Sequence, residues 1–300
     1  MITICNLKMT DRESGKGIFV GQTVPMQNTV RQRRLAREIR SLRDAAGWTT
    51  TEAAQHLSWS KSRLNRLETG AAKATEQDVA EICDVYKVTE SVRTALVQLV
   101  RDSARHGWWT AYSDVFAGSY VGLEDEASLI KEWGVQLVPG LLQTEDYARE
   151  IISTGLGNGD AEQVYRRVMA RMARKTLLGR PNPPGLHAVI DEAVLHRPIG
   201  GPEVMREQLR ALIIAARRPN VTIQVLPFGV GVHAGMDGSF ILLEYANPAD
   251  DVAYVAGTAG DVYVENPEHV TLYKMSFKRI CSAALTPDAS QAMIAAAMKE

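Results

Sequence analysis

The stretch 50-TTEAAQHLSWSKSRLNRLETG-70 holds two short helical patterns, parted by a few polar residues and closed by a glycine. It is either a head that reads DNA or a helical hairpin that fills out a larger core. Thr49 and Glu52 have the spacing of a capping box, which opens one helix with Ala53, Ala54 and Leu57 on one side. Small residues there let another helix come close. Ser58, Trp59 and Ser60 interrupt the pattern; Ser60 is placed to cap the next helix and Trp59 to plug the corner between the two. In that next helix Leu64 and Leu67 point inward, Lys61, Ser62, Arg63, Asn65 and Arg66 stay outside, and Gly70 supplies the left-handed residue that ends it.

Upstream, RQRRLAREIRSLR places Leu35, Ile39 and Leu42 on one side of an amphipathic helix ending near Gly47, with Arg31, Arg33, Arg34, Arg37, Arg40 and Arg43 around the rest. Downstream, ATEQDVAEICDVYKV and TESVRTALVQLVRDSARHG read as two more helices, capped by Thr75 and Thr89, and Cys83 reads as a small core residue. An ordinary solvated face would also carry outward cations. The conjunction of a capped helix pair, a short turn and a basic preceding helix favours double-stranded DNA. Lys or Arg can bond guanine O6 and N7, Ser and Asn give shorter contacts, and the basic helix, through Arg34 and Arg37, would hold phosphates.

WTTTEAAQHLSWSKSRLNRLETG resembles the helix-turn-helix of the XRE family, the phage-repressor-like regulators, with Ala54 at the small position and the frame Ser60, Leu64, Glu68, Gly70 intact. The resemblance implies a five-helix domain over residues 30–105. It also implies that Ser60, Lys61, Ser62 and Arg66 face bases and phosphates, flanked by Arg63 and Asn65. Thr50 stands where the family often has a Gln braced against the DNA backbone.

The bulk numbers set the frame. The chain of 300 residues is net −1, yet residues 31–105 are net +4 and residues 106–300 net −6, so one end is basic and the other acidic. Cys5, Cys83 and Cys281 lie far apart without CxxC spacing, which suggests neither a disulfide framework nor a zinc site and fits a reducing cytoplasm. No apolar run approaches the roughly 20 residues needed to cross a bilayer. Residues 1–29 have no lasting period and read as a disordered arm, with Met26 as an alternative natural start to Met1. The expected location is the cytoplasm, on the nucleoid when DNA is bound.

Beyond His106 the pattern changes, and Trp108, Trp109 and Tyr112 are placed to cover the joint. Then follow a short strand in IKEWGVQLV, a Pro139-Gly140 turn, a helix from about Thr144, and the long basic helix AEQVYRRVMARMARKTLL. LHAVIDEAVL reads as a strand passing into a short helix, and GPEVMREQLRALIIAARRPN as an amphipathic helix. VTIQVLPF, GSFILLEYA, DVAYVAG and GDVYVEN read as strands, with two C-terminal helices after them. Residues 106–300 are thus expected to form an α+β domain around a mostly antiparallel sheet, behind a helical first domain. The phrases VPGLLQTEDYARE, VMARMARK, DEAVLHRPIGGPEVMREQL, NVTIQVLPFGVGVHAGMDGSFILLEY and DVAYVAG resemble the domain behind the helix-turn-helix in actinobacterial, antitoxin-like regulators of the WhiJ type. That resemblance implies a transcriptional regulator of development or secondary metabolism, often encoded beside a small partner protein.

Three constellations invite chemistry. His187, Asp191, Glu192 and His196 look enzyme-like, but they complete no HExxH motif and are divided between strand and helix. GVGVHAGMDG, residues 229–238, lacks the GKS or GKT of a phosphate loop and reads as a flexible hairpin loop, with His233 and Asp237 as candidate ligand contacts. Arg167, Arg171 and Arg174 fall at i, i+4, i+7 on one helix, a stripe that would sit on a solvated face or meet an acidic ligand or partner. Leu141, Leu142 and Trp133 would line a partner groove or, equally, a core. The expectation is no catalysis, no metal and no cofactor, with a homodimer spanning two operator half-sites. The alternative is an antitoxin-like protein that neutralises a small partner and binds DNA to regulate itself.

Overall fold

Leu35 and Ile39 recur at the helical period, and in the computed structural model they pin α1 (Val30–Ala45) to the other helices of the first domain. The structure describes residues 30–104, 112, 115, 120–156, 160–257 and 260–299. The expected arm at 1–29, and Trp108 and Trp109 at the expected joint, lie outside those residues. Past α1 the chain turns at Gly47, whose φ of 71° is one a side chain resists. It enters α2 (Thr50–His56), where Thr49 and Glu52 form the complete reciprocal capping box. α3 (Lys61–Glu68) starts on the Ser60 hydroxyl, which accepts from the Arg63 amide, and stops before Gly70, at φ 73°. A second capping box, Thr75 with Asp78, opens α4 (Glu76–Tyr86), and α5 (Glu90–Ala104) closes the bundle against α1 and α4.

Ala53 and Ala54 are buried where α2 meets its neighbours, and Leu64 and Ile82 are fully buried at the centre. Truncating either large side chain to Ala would cost about 2–5 kcal/mol. Cys83 lies in the same core, where burial pushes its thiol up, out of reach of redox or nucleophilic work.

The second domain begins with α6 (Tyr120–Glu126), a short helix absent from the sequence reading, and then β1 (Leu129–Gly134). A single 3-10 turn at Gly140–Leu142 leads to α7 (Glu145–Leu156), α8 (Ala161–Lys175) and β2 (Gly185–Asp191). α9 (Ala193–His196) and α10 (Gly201–Ala215) carry the chain to β3 (Val221–Leu226). Next come β4 (Phe240–Glu244), β5 (Val252–Val255), β6 (Val262–Val264), α11 (Pro267–Ala283) and α12 (Pro287–Ala297).

Among the described residues the strands form one sheet in the order β3-β2-β1-β4-β5-β6. It is mixed, not mostly antiparallel: β1, β2 and β3 pair in parallel, whereas β4, β5 and β6 add in antiparallel on the other side of β1. The reason lies in the connections. Helices separate β1 from β2 and β2 from β3, and a helical crossover returns the chain to the end where the previous strand began; β4 to β6 are joined by short links that can only reverse it.

One face of the sheet carries Ile130, Ile190, Ile223 and Leu243 against α10 and α12, and the other carries Trp133, Val189, Leu242 and Ala253 against α11. Residues 229–238 are not a hairpin loop, because β3 and β4 are not neighbours. They cross the ends of the intervening strands and are held there: the Trp133 indole donates to the Gly235 carbonyl at 3.0 Å, and a Cβ at Gly235 would sit 2.4 Å from that nitrogen. The two domains meet where α1 touches the 248–250 turn. Arg37 binds the Asp250 carboxylate and the Ala249 carbonyl, and Arg33 pairs with Glu265 at 2.6 Å.

Candidate functional site

The surface around α3 is built from its buried side outward. Leu64 and Leu67 anchor the helix, so by the helical period positions 61, 62, 65 and 66 must face away, and Ser60, Lys61, Ser62, Asn65 and Arg66 are all exposed. No acidic residue lies in the first turn. Its leading amides have no partner inside the helix and, with the positive end of the helix dipole, suit an anion such as a phosphate.

Two ion pairs hold this helix in place. Arg43 of α1 meets Glu68 at 2.7 Å in a buried pair and also donates to the Trp48 carbonyl, so the end of α3 is tied to the first helix. The hydrogen bond to Glu68 raises the Arg43 guanidinium above its ordinary value. Arg63 is drawn away from a purely outward role: it bonds Asp78 at 2.5 Å and its guanidinium lies 3.9 Å from the Trp59 ring centre. Burial alone would raise the Asp78 carboxyl, but hydrogen bonds from Thr75 and Arg63 hold it below the usual range. Trp59 plugs the corner as its position suggested, and its indole donates to Glu81 at 2.8 Å. Between α3 and α4 this leaves an open cleft of about 490 Å³ lined by Ser62, Arg66 and Lys73 on one side and Gln77 and Glu81 on the other.

Thr50 is half-buried in the first turn of α2, next to an exposed Glu52 that Thr49 already engages. A phosphate approaching there meets a carboxylate in place. Arg34 is exposed on α1, whereas Arg37 is held by Asp250.

In the second domain the structure redistributes the candidates. The arginine stripe of α8 is not one solvated face. Arg167 is exposed, but Arg174 is buried and bonds both oxygens of Glu124, at 2.9 and 2.7 Å, with its guanidinium 5.2 Å from the Tyr120 ring centre. Arg171 turns in beside it and donates to Gln143 at 2.9 Å. Tyr120 and Glu124 come from α6, so the sequence pattern on α8 showed the cations but not their partners. A glutamate four residues after a tyrosine was the one signal available in a run too short to show a helical period. Burial raises the Tyr120 hydroxyl well above its ordinary value, and it donates to Glu124 at 2.8 Å.

His233 is used within its own loop, its Nδ1 accepting from the Gly235 amide at 3.1 Å and its ring edge-on to Trp133. Asp237 is exposed. His187 bonds Gln224 at 2.7 Å and packs edge-on to Phe277, and burial lowers its pKa. Asp191 accepts from the Ala193 amide, and Glu192 accepts from the Phe228 amide with His196 3.8 Å away. The four residues therefore form no single cluster: only Glu192 and His196 meet each other, and His187 and Asp191 serve other local contacts. Leu141, Leu142 and Trp133 are buried core. Among the described residues no group of three His, Cys, Asp or Glu is placed to hold a metal, and no helix is long and apolar enough to cross a membrane.

Two family models match the chain. Residues 34–96 match a helix-turn-helix domain, and residues 117–296 match a domain of unknown function, DUF5753. The second match covers more than half of the chain, which belongs to the DUF5753 family and carries a helix-turn-helix ahead of that domain. The helix-turn-helix points to DNA binding and to a regulatory role. No curated protein and no solved structure matches the chain.

Proposed function

We propose that this member of the DUF5753 family is a sequence-specific transcriptional regulator of the XRE type, with a second domain that receives a signal from a small ligand or a small protein. The observation that carries the reading is the exposed face of α3: Ser60, Lys61, Ser62, Asn65 and Arg66 project together from a helix whose other side is locked into the core. In this reading the start of α3 enters the major groove. Lys61 and Arg66 reach base edges or the phosphates beside them, and Arg34 on α1 adds a phosphate contact. Arg63 contributes mainly by holding Trp59 and Asp78.

One α3 reads few base pairs, so a homodimer on two half-sites one helical turn apart supplies the selectivity. No catalytic step is required, and a cytoplasmic, nucleoid-bound regulator akin to the WhiJ type, acting on development or secondary metabolism, is the setting we infer. The antitoxin-like alternative differs in that a small partner, not an operator, is the main target.

The test is binding of the purified chain to the DNA upstream of its own gene and to random DNA, at two salt concentrations, with and without the product of the adjacent gene. Tight, salt-sensitive preference for the upstream DNA supports the operator reading. Equal binding to both, together with a stable complex with the neighbour, would replace it with the antitoxin-like one.

A further inference from the structure

The sheet face that carries Ile130 and Leu243 is sealed by apolar packing except along one row. Glu132 on β1, Ile241 on β4, Tyr254 on β5 and Tyr263 on β6 lie opposite one another in register. All four keep partial exposure, Tyr263 on the edge strand β6 but Glu132 on the inner strand β1. So do Tyr120, Gly140 and Arg171, which come over the row from α6, the 140–142 turn and α8; the Tyr120 and Tyr254 rings are 4.3 Å apart. Glu132 and Arg171 are densely surrounded by protein, and a side chain so enclosed that still has accessible surface borders an interior space. The row therefore lines a recess, walled by tyrosines and roofed by the arginines of α8.

Two charges in that recess lack an ionic partner among the described residues. Arg174 is saturated by Glu124, but Arg171 has only the neutral oxygen of Gln143. Among the described residues the Glu132 side chain makes no hydrogen bond or ion pair, and burial, reinforced by Glu124 and opposed by Arg174 and Arg171, pushes its carboxyl up to about 7. Burial and the neighbouring Arg174 lower Arg171 to about 10. Gly140 gives the guanidiniums their place, since a Cβ there would come within 3.2 Å of Arg171 Nη1. A buried charge without a partner in contact costs several kcal/mol, so a fold that keeps Glu132 on β1 and Arg171 on α8 within electrostatic reach of each other, yet forms no ion pair between them among the described residues, keeps them at a continuing penalty.

We propose that this recess binds a small amino-carboxylate, an amino acid or a close derivative, with its carboxylate on Arg171, its amine on Glu132 and its side chain against Tyr120 and Tyr254. A simple anion would leave Glu132 unmatched and a simple amine would leave Arg171 unmatched; a zwitterion matches both without changing the net charge of the site. The proposal rests on the reading of the second domain as the receiver of a signal and is independent of DNA binding.

The test is thermal unfolding of the full chain at about pH 8 with each proteinogenic L-amino acid in turn, on the order of 10 mM. One or a few should raise the Tm by about 3 °C or more, as a ligand well above its Kd does. The matching amine and the matching deaminated acid should not. Glu132→Gln and Arg171→Met should each abolish the shift, and Arg167→Ala, exposed on the same helix, should keep it.

Calorimetry on the unsubstituted chain near pH 7, in two buffers of different ionisation heat, should show proton release as the amine drives Glu132 to its charged form. No shift with any amino acid, a shift that survives both substitutions, an equal shift from the deaminated acid, or binding without proton release would overturn the proposal. Failure to bind DNA would leave every one of these readouts unchanged, so the two readings fail separately.

Discussion

α3, of 8 residues, and α8, of 15, both carry cations at helical spacing, and the chain uses them in opposite ways. The outward cations Lys61 and Arg66 stay in water, and the helix is held by leucines on its other side. On α8 the last two arginines of the stripe turn into the protein, where Glu124 saturates one and the other has, among the described residues, only the Gln143 side-chain oxygen. A row of cations thus fixes only which residues share a face. Whether that face meets solvent is decided by elements remote in sequence: for α3 nothing among the described residues covers it, and for α8 the short helix α6 and the 140–142 turn do.

That contrast makes removal of charge a sharp test, and the largest effect falls on α8. Arg174→Ala leaves Glu124 buried and unpaired and should destabilise the second domain by about 3–5 kcal/mol in denaturant unfolding. Adding Glu124→Leu should recover a large part of that loss, and a single substitution costing less than about 1 kcal/mol would remove the distinction between the two helices.

Next comes Glu132→Gln. The folded carboxyl titrates near 7, above its ordinary value, so between about pH 4.5 and 7 the folded chain holds a proton that the unfolded chain has released. Stability from this group therefore falls as pH rises through that window. The substitution should raise stability at about pH 8 by about 1–3 kcal/mol and flatten the profile, as read from unfolding at several pH values. An unchanged profile would mean that Glu132 is not enclosed as described.

On α3 the pattern should reverse, with folding spared and binding lost. Lys61→Ala or Arg66→Ala should change stability by no more than about 0.5 kcal/mol, while weakening operator binding by about 1–3 kcal/mol in a titration. The smallest effects belong to α1. Arg34→Ala should weaken specific and random DNA alike and lower the salt slope by about 1. Arg37→Ala should do less, because Asp250 already holds that guanidinium. Equal losses for the two would show that Arg37 lets go of Asp250 when DNA binds.

The first domain was largely legible because its signals are local. The Thr49–Glu52 box, the Ser60 cap, the Trp59 plug and the left-handed Gly70 are each decided within a few residues, and each is in place. The α8 pattern was equally visible, but its partners lie 50 residues upstream on a seven-residue helix too short to show a period. Likewise the helices between β1, β2 and β3 were read correctly, and their consequence for strand direction was not drawn from them. His233 looked like a ligand contact because it sits among glycines. The glycine that matters, Gly235, is there to let the backbone lie against Trp133.

The placement of β1 has a consequence for how the chain acquires its shape. β1 is the strand from which both halves of the sheet grow, and it pairs with β4, whose residues 240–244 leave the ribosome more than a hundred positions later. Helix packing in the first domain is local and closes quickly, while a sheet whose central strand waits for a distant neighbour pays a large loop-closure entropy and forms slowly. During synthesis the helix-turn-helix should therefore be complete first, with β1 left open along the edge that β4 will cover. Time-resolved hydrogen exchange during refolding should show amides of α1 to α4 protected before those of β1 and β4, and this unpaired edge is where a slowed or truncated chain would first aggregate.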